Sequence, residues 1–169
     1  MSVGRRMYLW LGLILGPLAI VGLRAFTKIT KAPRVRIIVE SELGKILLVK
    51  NVLSPNSDWT LPGGGVARGE ELQVAAQREL REETGIITSL ETFEMVTTLH
   101  REESGLHYVA PIFKTTCSSL SLPAAPINPG EIAEIGWFDP KDLPADTAEL
   151  VHKAVAAMHK NNRGNKLHS

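Results

Sequence analysis

From about residue 34 onward, the chain alternates between short apolar runs and polar, turn-forming stretches. The segment RVRIIVE (34–40) alternates and then becomes apolar, which predicts a β-strand, and KILLVKN (45–51) predicts a second, largely buried strand. Further strands are predicted near 93–100, 106–116 and 131–139.

Two segments have the spacing of helices. An acidic segment from about Glu70 to Thr84 predicts a helix that ends at Gly85. The segment 143–160 predicts an amphipathic helix with Leu150, Val151, Ala154, Val155 and Met158 on one face. The order of strands, helix, strands and helix predicts an α+β fold with a mixed β-sheet packed against helices.

The first thirty residues differ from this body. Met7 to Leu23 is an apolar run of 17 residues without a charge, which predicts an N-terminal apolar helix. At about 1.5 Å per residue it is near the lower limit for crossing a bilayer core of about 30 Å. Three interpretations compete: a membrane anchor, a cleaved signal peptide, and a buried or interfacial helix. The predicted organisation is a hydrophobic segment at 1–30, a folded domain at 31–160 and a disordered tail at 161–169.

The net charge of +1 hides an asymmetry. Residues 1–36 carry seven Lys and Arg and no acid, so residues 37–169 hold the other 12 basic and all 18 acidic residues, a net charge of −6. A basic segment before an acidic body argues against a nucleic-acid-binding domain and favours contact with an anionic membrane. The positive-inside tendency places the body in the cytoplasm, with export after signal cleavage as the alternative.

The acidic helix carries the candidate chemistry. Glu79, Glu82 and Glu83 share one helix face by their spacing, and such a group repels itself unless a cation lies among them. Mg²⁺ takes oxygen ligands, commonly one or two carboxylates together with waters and substrate phosphates. The alternative is a solvated face on which Arg78 and Arg81 form salt bridges along the helix.

The glycines before this helix make a specific pattern with it. Gly64 is followed by five residues and Glu70, then by seven residues, Arg78-Glu79-Leu80, one residue, Glu82-Glu83, one residue and Gly85-Ile86. This pattern resembles the complete Nudix box, and the stretches WTLPGGG and WFDPKDLP also resemble this family. The resemblance covers about Arg34 to Met158 and does not extend to the apolar run.

The resemblance implies a Nudix-like α/β/α sandwich and a mechanism. Nudix proteins hydrolyse a nucleoside diphosphate linked to another moiety, with Mg²⁺ or Mn²⁺. By position, the metal ligands are the backbone carbonyl of Gly64 and the carboxylates of Glu79, Glu82 and Glu83. The catalytic candidates are Glu79, which activates water, Glu82, and Arg78, which orients the carboxylates.

The substrate is left open by the sequence beyond a nucleoside diphosphate-linked small molecule. Trp59 and Tyr108 are candidates for stacking on a base, with a core or strand role as the alternative for each. Glu131 is a candidate for an extra metal ligand supplied by a loop, with a solvated carboxylate as the alternative. A second hypothesis is a membrane-tethered sensor that binds a nucleotide derivative without turnover.

Overall fold

The computed structural model describes residues 33–52, 58–103, 106–118, 128 and 130–165, without the side chains of 101–103, 106–108 and 162–165. The predicted apolar helix at 7–23 lies outside these residues. Within the described part of the chain, neither helix combines the length and the apolar character that are needed to cross a bilayer.

The described residues form two α-helices, six strands and one short 3-10 turn. The helices are α1 (Leu72–Thr84) and α2 (Glu149–Asn165), and the 3-10 turn is Leu90–Thr92. The strands are β1 (Arg36–Ser41), β2 (Ile46–Asn51), β3 (Trp59–Thr60), β4 (Glu94–Glu103), β5 (Leu106–Cys117) and β6 (Ile132–Phe138). Both helices and the strands β1, β2, β4, β5 and β6 were predicted with the correct type, whereas β3 and the 3-10 turn were not predicted.

The strands form one mixed sheet in the order β3-β2-β1-β5-β4, with β6 paired to β2. β1 runs parallel to β5, and the other strand pairs are antiparallel. The register of β1 against β2 is the single pair Glu40–Ile46. The chain that follows β3 pairs with the start of β1, where Ile37 N donates to Pro62 O at 2.9 Å and Arg34 bridges Gly65 in antiparallel register. The glycine run is therefore held against the edge of β1.

The two helices pack on opposite faces of this sheet. Strand alternation sends neighbouring side chains to opposite faces, so Ile37 and Val39 lie in the core beside α1 whereas Ile38 lies in the core beside α2. The buried residues on the α1 side are Val35, Ile37, Val39, Leu47, Ala75, Ala76, Leu80, Phe93 and Phe113. Those on the α2 side are Ile38, Ile46, Leu48, Trp59, Leu61, Ala110, Ile112, Leu150, Val151, Ala154, Val155 and Met158.

The bounds of α2 differ from the prediction at both ends. The helix begins at Glu149 rather than at residue 143, because the preceding backbone pairs with β3. Trp59 N donates to Asp146 O at 2.8 Å, and Ala148 N donates to Trp59 O at 2.9 Å. At the other end, α2 continues to Asn165, into the stretch that was predicted as a disordered tail.

Candidate active site

The glycine loop, Gly63 to Gly65, approaches two other segments too closely for larger residues. Gly63 has a φ of 136°, and a Cβ added there would lie 2.2 Å from Val35 O. A Cβ at Gly64 would lie 2.4 Å from Oε2 of Glu79. The contact at Gly63 is with backbone, so this position requires glycine, whereas a side chain at Gly64 would displace the carboxylate of Glu79.

Two carboxylates of α1 converge on this loop. Glu79 and Glu83 are one helical turn apart and only 8% and 7% exposed. Gly63 N donates a hydrogen bond of 2.8 Å to Oε2 of Glu83. A buried carboxylate needs such partners, since an unpaired charge in the interior costs several kcal/mol.

Arg78 organises the rest of the acidic group. Its Nε and Nη2 donate to the two oxygens of Glu70 at 2.8 and 2.9 Å, a bidentate pair. Its Nη1 donates to Glu79 at 2.8 Å and to Glu82 at 3.3 Å, and Nη2 also donates to Gly65 O at 3.0 Å. One guanidinium thus connects three carboxylates with the glycine loop.

These contacts keep the pair of Arg78 and Glu70 ionised. The hydrogen bond from Arg78 lowers the pKa of Glu70, and a bond of 2.8 Å from Ala67 N acts in the same direction against the effect of burial. In return, the hydrogen bond to Glu70 raises the pKa of Arg78, with a smaller contribution from Glu79. The bridge is therefore fully charged at neutral pH.

Groups of the protein itself also offset the repulsion within the acidic cluster. Arg78 donates to Glu79 and Glu82, and the N–H of Gly63 donates to Glu83. Among the described residues, no three His, Cys, Asp or Glu side chains are gathered closely enough to hold a metal by themselves. The donor set still suits Mg²⁺, because buried carboxylates lie against an open backbone loop and this ion completes its shell with waters and phosphates.

The predicted substrate-binding residues are not gathered at this site by the described contacts. Trp59 lies in the core, where its ring packs edge-on against Phe138 with 4.7 Å between centroids. This is the core role that was its alternative interpretation. Tyr108 pairs with Arg101 in the sheet, and its side chain is outside the described residues. Glu131 is half-buried and accepts a hydrogen bond of 2.6 Å from Asn128 Nδ2.

Two arginines at the glycine loop were missed by the sequence reasoning. Arg36 Nη1 donates to Gly63 O, and Arg34 bridges Gly65 through its backbone. Their spacing in the first strand gave a signal, but alternating Arg residues in a strand are equally typical of a solvated sheet face. An open cleft of about 480 Å³ lies nearby, lined by Glu70, Glu71, Leu72, Gln73, Met95 and Phe113.

Comparison with known families identifies this arrangement. A family profile described as the NUDIX domain matches residues 30–158. The chain belongs to the Nudix family. Nudix hydrolases generally use a divalent metal ion, typically Mg²⁺. The carboxylates of α1 and the glycine loop are thus the Nudix box seen as a structure.

Relatives of this Nudix chain have two kinds of names. It is 58% identical over 38 residues to an RNA pyrophosphohydrolase of Caulobacter vibrioides, which is 22% of either chain. It is 31% identical over 109 residues to an ADP-ribose pyrophosphatase of Methanocaldococcus jannaschii, covering 63% of this chain and 61% of the relative. The chain thus spans less than two thirds of the length of either relative.

A solved structure agrees with the fold. The MutT NUDIX hydrolase of Burkholderia pseudomallei has a TM-score of 0.58 and 27% sequence identity to this chain, and the match covers 73% of this chain and 97% of that one. The prediction of a Nudix-like α+β fold with a mixed sheet and helices is confirmed.

Proposed function

We propose that this Nudix domain hydrolyses the diphosphate linkage of a nucleoside diphosphate derivative with a divalent metal ion. The observation that carries the proposal is the convergence of two buried carboxylates, Glu79 and Glu83, on the glycine loop. Burying two acids at one helix face is costly. A structural helix would gain more from apolar residues at these positions, so a chemical role explains them better.

The metal ligands in this proposal are the carboxylates of Glu79, Glu82 and Glu83 and the carbonyl of Gly64. Mg²⁺ is the proposed ion, with Mn²⁺ as a substitute, since both prefer oxygen ligands. When bound, such an ion neutralises phosphate charge and lowers the pKa of a coordinated water.

The residues of the chain orient the reaction and move its proton. Arg78 donates to Oε1 of Glu79, and Oε2 has no hydrogen-bond partner among the described residues. Oε2 is therefore the atom that we assign to accept the proton of the attacking water. The water oxygen forms the new bond to phosphorus as the bridging P–O bond of the diphosphate breaks, with the nucleophile and leaving group in line.

The proposed substrate is a small molecule linked to a nucleoside diphosphate. The relatives named above suggest two classes, ADP-ribose and the phosphorylated end of an RNA. The net charge of −6 over residues 37–169 favours the small molecule, because an RNA chain needs a basic surface along which it can lie.

Turnover across a substrate panel tests the proposal. The panel contains ADP-ribose, nucleotide sugars, dinucleoside polyphosphates and a short RNA with a 5′ triphosphate, each with Mg²⁺ and with a chelator. We expect Mg²⁺-dependent release of phosphorylated products from at least one small molecule. Binding that depends on Mg²⁺ but yields no product with any compound would overturn hydrolysis and favour a sensor.

Residues 7–23 are proposed to anchor the chain to a membrane, with the Nudix domain on the cytoplasmic side. The support comes from the uncharged apolar run and from the five basic residues that follow it before residue 37. The full chain should then sediment with membranes, and a chain that starts at Lys31 should remain in the supernatant with equal activity. Recovery of a mature chain without its first 25 or so residues would show export instead.

A further inference from the structure

Arg34 is fixed beside the glycine loop by its backbone. It forms an antiparallel bridge with Gly65, and its N–H donates to Val109 O at 3.1 Å. Gly65 O in turn accepts the hydrogen bond from Arg78 Nη2. Gly65 therefore contacts both Arg34, through the backbone, and Arg78, which pairs with the carboxylates of α1.

The side chain of Arg34 belongs to the sheet face opposite α1. Val35 and Ile37 lie in the core beside α1, so strand alternation directs Arg34 and Arg36 to the other face. Residues that pair across an antiparallel bridge point to the same face. A side chain at Gly65 would thus stand next to Arg34, but glycine leaves this place open, and a Cβ there would meet no atom within 4 Å.

The guanidinium of Arg34 is incompletely paired within the protein. Its Nε is buried and has no hydrogen-bond partner among the described residues. In contrast, Arg78 is paired with carboxylates and Arg36 donates to Gly63 O. The Nε lies too deep for a ligand oxygen to reach, but the two terminal nitrogens are not among these enclosed atoms, and their planar pair is the part of a guanidinium that can hold a phosphate.

We propose that Arg34 binds a phosphate oxygen of the substrate in the open space beside Gly65. The assignment rests on the proposed function, since it assumes a diphosphate substrate. The glycine loop then separates two charged sides: the carboxylates of α1 on one, and Arg34 on the other. This division explains how an acidic domain receives a polyanion, because the cation that meets the phosphates is built into the sheet.

Binding of α,β-methylene-ADP to the full-length protein with Mg²⁺ tests this assignment without turnover. Four proteins are compared by calorimetry: the wild type, Arg34→Gln, Arg34→Lys and the matched control Arg81→Gln, which removes an exposed arginine of α1. We expect the Kd to rise about 10- to 100-fold in Arg34→Gln, the usual effect of losing a charged hydrogen bond. Arg34→Lys should retain part of the affinity, since it keeps the charge but lacks Nε and the planar fork.

Two further readouts separate a ligand contact from a structural role. Adenosine lacks phosphate, so its binding should be the same in Arg34→Gln and the wild type. The melting temperature of Arg34→Gln should be unchanged or higher, because the variant removes an unpaired buried donor. Gly65→Ala fills the open space and should also weaken binding of the methylene analogue.

Several results would overturn the assignment. They are an unchanged Kd in Arg34→Gln, an equal loss of affinity for adenosine, a fall in melting temperature without a change in affinity, and absence of binding of the methylene analogue by the wild type. Failure of hydrolysis on the whole panel, with an Arg34-dependent Kd, would instead refute the proposed function alone.

Discussion

The two helices cover opposite faces of one sheet but bury different kinds of residue. The buried side chains of α2 are all apolar: Leu150, Val151, Ala154, Val155 and Met158. Those of α1 are half polar: Ala75, Ala76, Glu79, Leu80, Glu83 and Thr84. Since a fully buried large apolar side chain contributes about 1.5–3 kcal/mol, α1 gives up stability that α2 retains.

The difference shows where the molecule is built for stability and where it is built for chemistry. α1 is held through directed contacts, such as Gly63 N to Glu83 and Arg78 to Glu70, which are sensitive to protonation and to single atoms. α2 is held mainly through non-directional packing, beside one hydrogen bond of 2.9 Å from Asn161 Nδ2 to Val96 O. Substitutions in α1 should therefore change activity and pH dependence, whereas substitutions in α2 should change stability alone.

The largest effect is expected for the buried acid of α1. Glu79→Gln keeps the shape of the side chain but removes its charge and basicity, and kcat should fall about 10²- to 10⁴-fold, the range for a positioned general base. Steady-state rates on the best substrate of the panel measure this. Glu94→Gln, at an exposed position of β4, is the matched control. Retention of more than half the activity in Glu79→Gln would remove this residue from the chemistry.

The counterpart in α2 is Leu150→Ala. Leu150 is 3% exposed, so the truncation should lower the free energy of unfolding by about 2–5 kcal/mol. Urea denaturation gives this value, and kcat/KM measured on the folded protein should stay at the wild-type level. The exposed neighbour His152→Ala should change stability by less than about 0.5 kcal/mol. Loss of activity in folded Leu150→Ala would contradict the claim that substitutions in α2 change stability alone.

Metal binding should stabilise the domain through α1. At Mg²⁺ concentrations about 100 times the Kd, mass action adds about 2.7 kcal/mol to the stability of the folded state, which thermal unfolding detects. Glu82→Gln combined with Glu83→Gln should abolish this gain. Without metal, Glu83→Gln should be the less stable of the two single variants, because it weakens the bond from Gly63 N. A double variant with the wild-type response would place the metal elsewhere.

The smallest expected effect is the dependence on pH of the stability that Glu70 contributes. Arg78 lowers the pKa of Glu70 in the folded chain, so the ionised carboxylate stabilises the fold at any pH above the ordinary pKa of a glutamate. This contribution is lost as the pH falls through the lower, folded value. Glu70→Gln should cost about 1–2 kcal/mol at neutral pH and much less near pH 3, as measured by urea denaturation. An equal loss of unfolding free energy at both pH values would show that the charge of Glu70 does not contribute to stability.

Local patterns predicted most of the elements and the spacing of the site's own residues along α1. The strand predicted at 34–40 and the helix stop predicted at Gly85 are decided by nearby residues, and the structure has β1 at Arg36–Ser41 and ends α1 at Thr84, just before Gly85. The end of a helix is less local: α2 begins late because Asp146 and Ala148 pair with Trp59, which is far away in the sequence.

The sequence predicted which residues belong to the site better than it predicted the hydrogen bonds between them. The spacing of Glu79, Glu82 and Glu83 placed them on one helix, and Arg78 was expected to orient them, but its bond to the carbonyl of Gly65 was not predicted. The place of Arg34 depends on a bridge to Gly65, which strand alternation alone does not indicate. Such contacts form only when the loop after β3 meets β1, and the sequence gives the two segments no common pattern.

The parallel pairing of β1 with β5 also determines when the domain can finish folding. Arg36 pairs with Ile112 and Ser41 with Cys117, so the centre of the sheet joins early and late parts of the chain. During synthesis, β1, the glycine loop and α1 are made before β5. Contacts between distant segments form slowly, since a long loop must close first. We therefore expect α1 to pack against the complete sheet only after β5 has paired with β1, and its carboxylates to reach their final geometry at that late stage of folding.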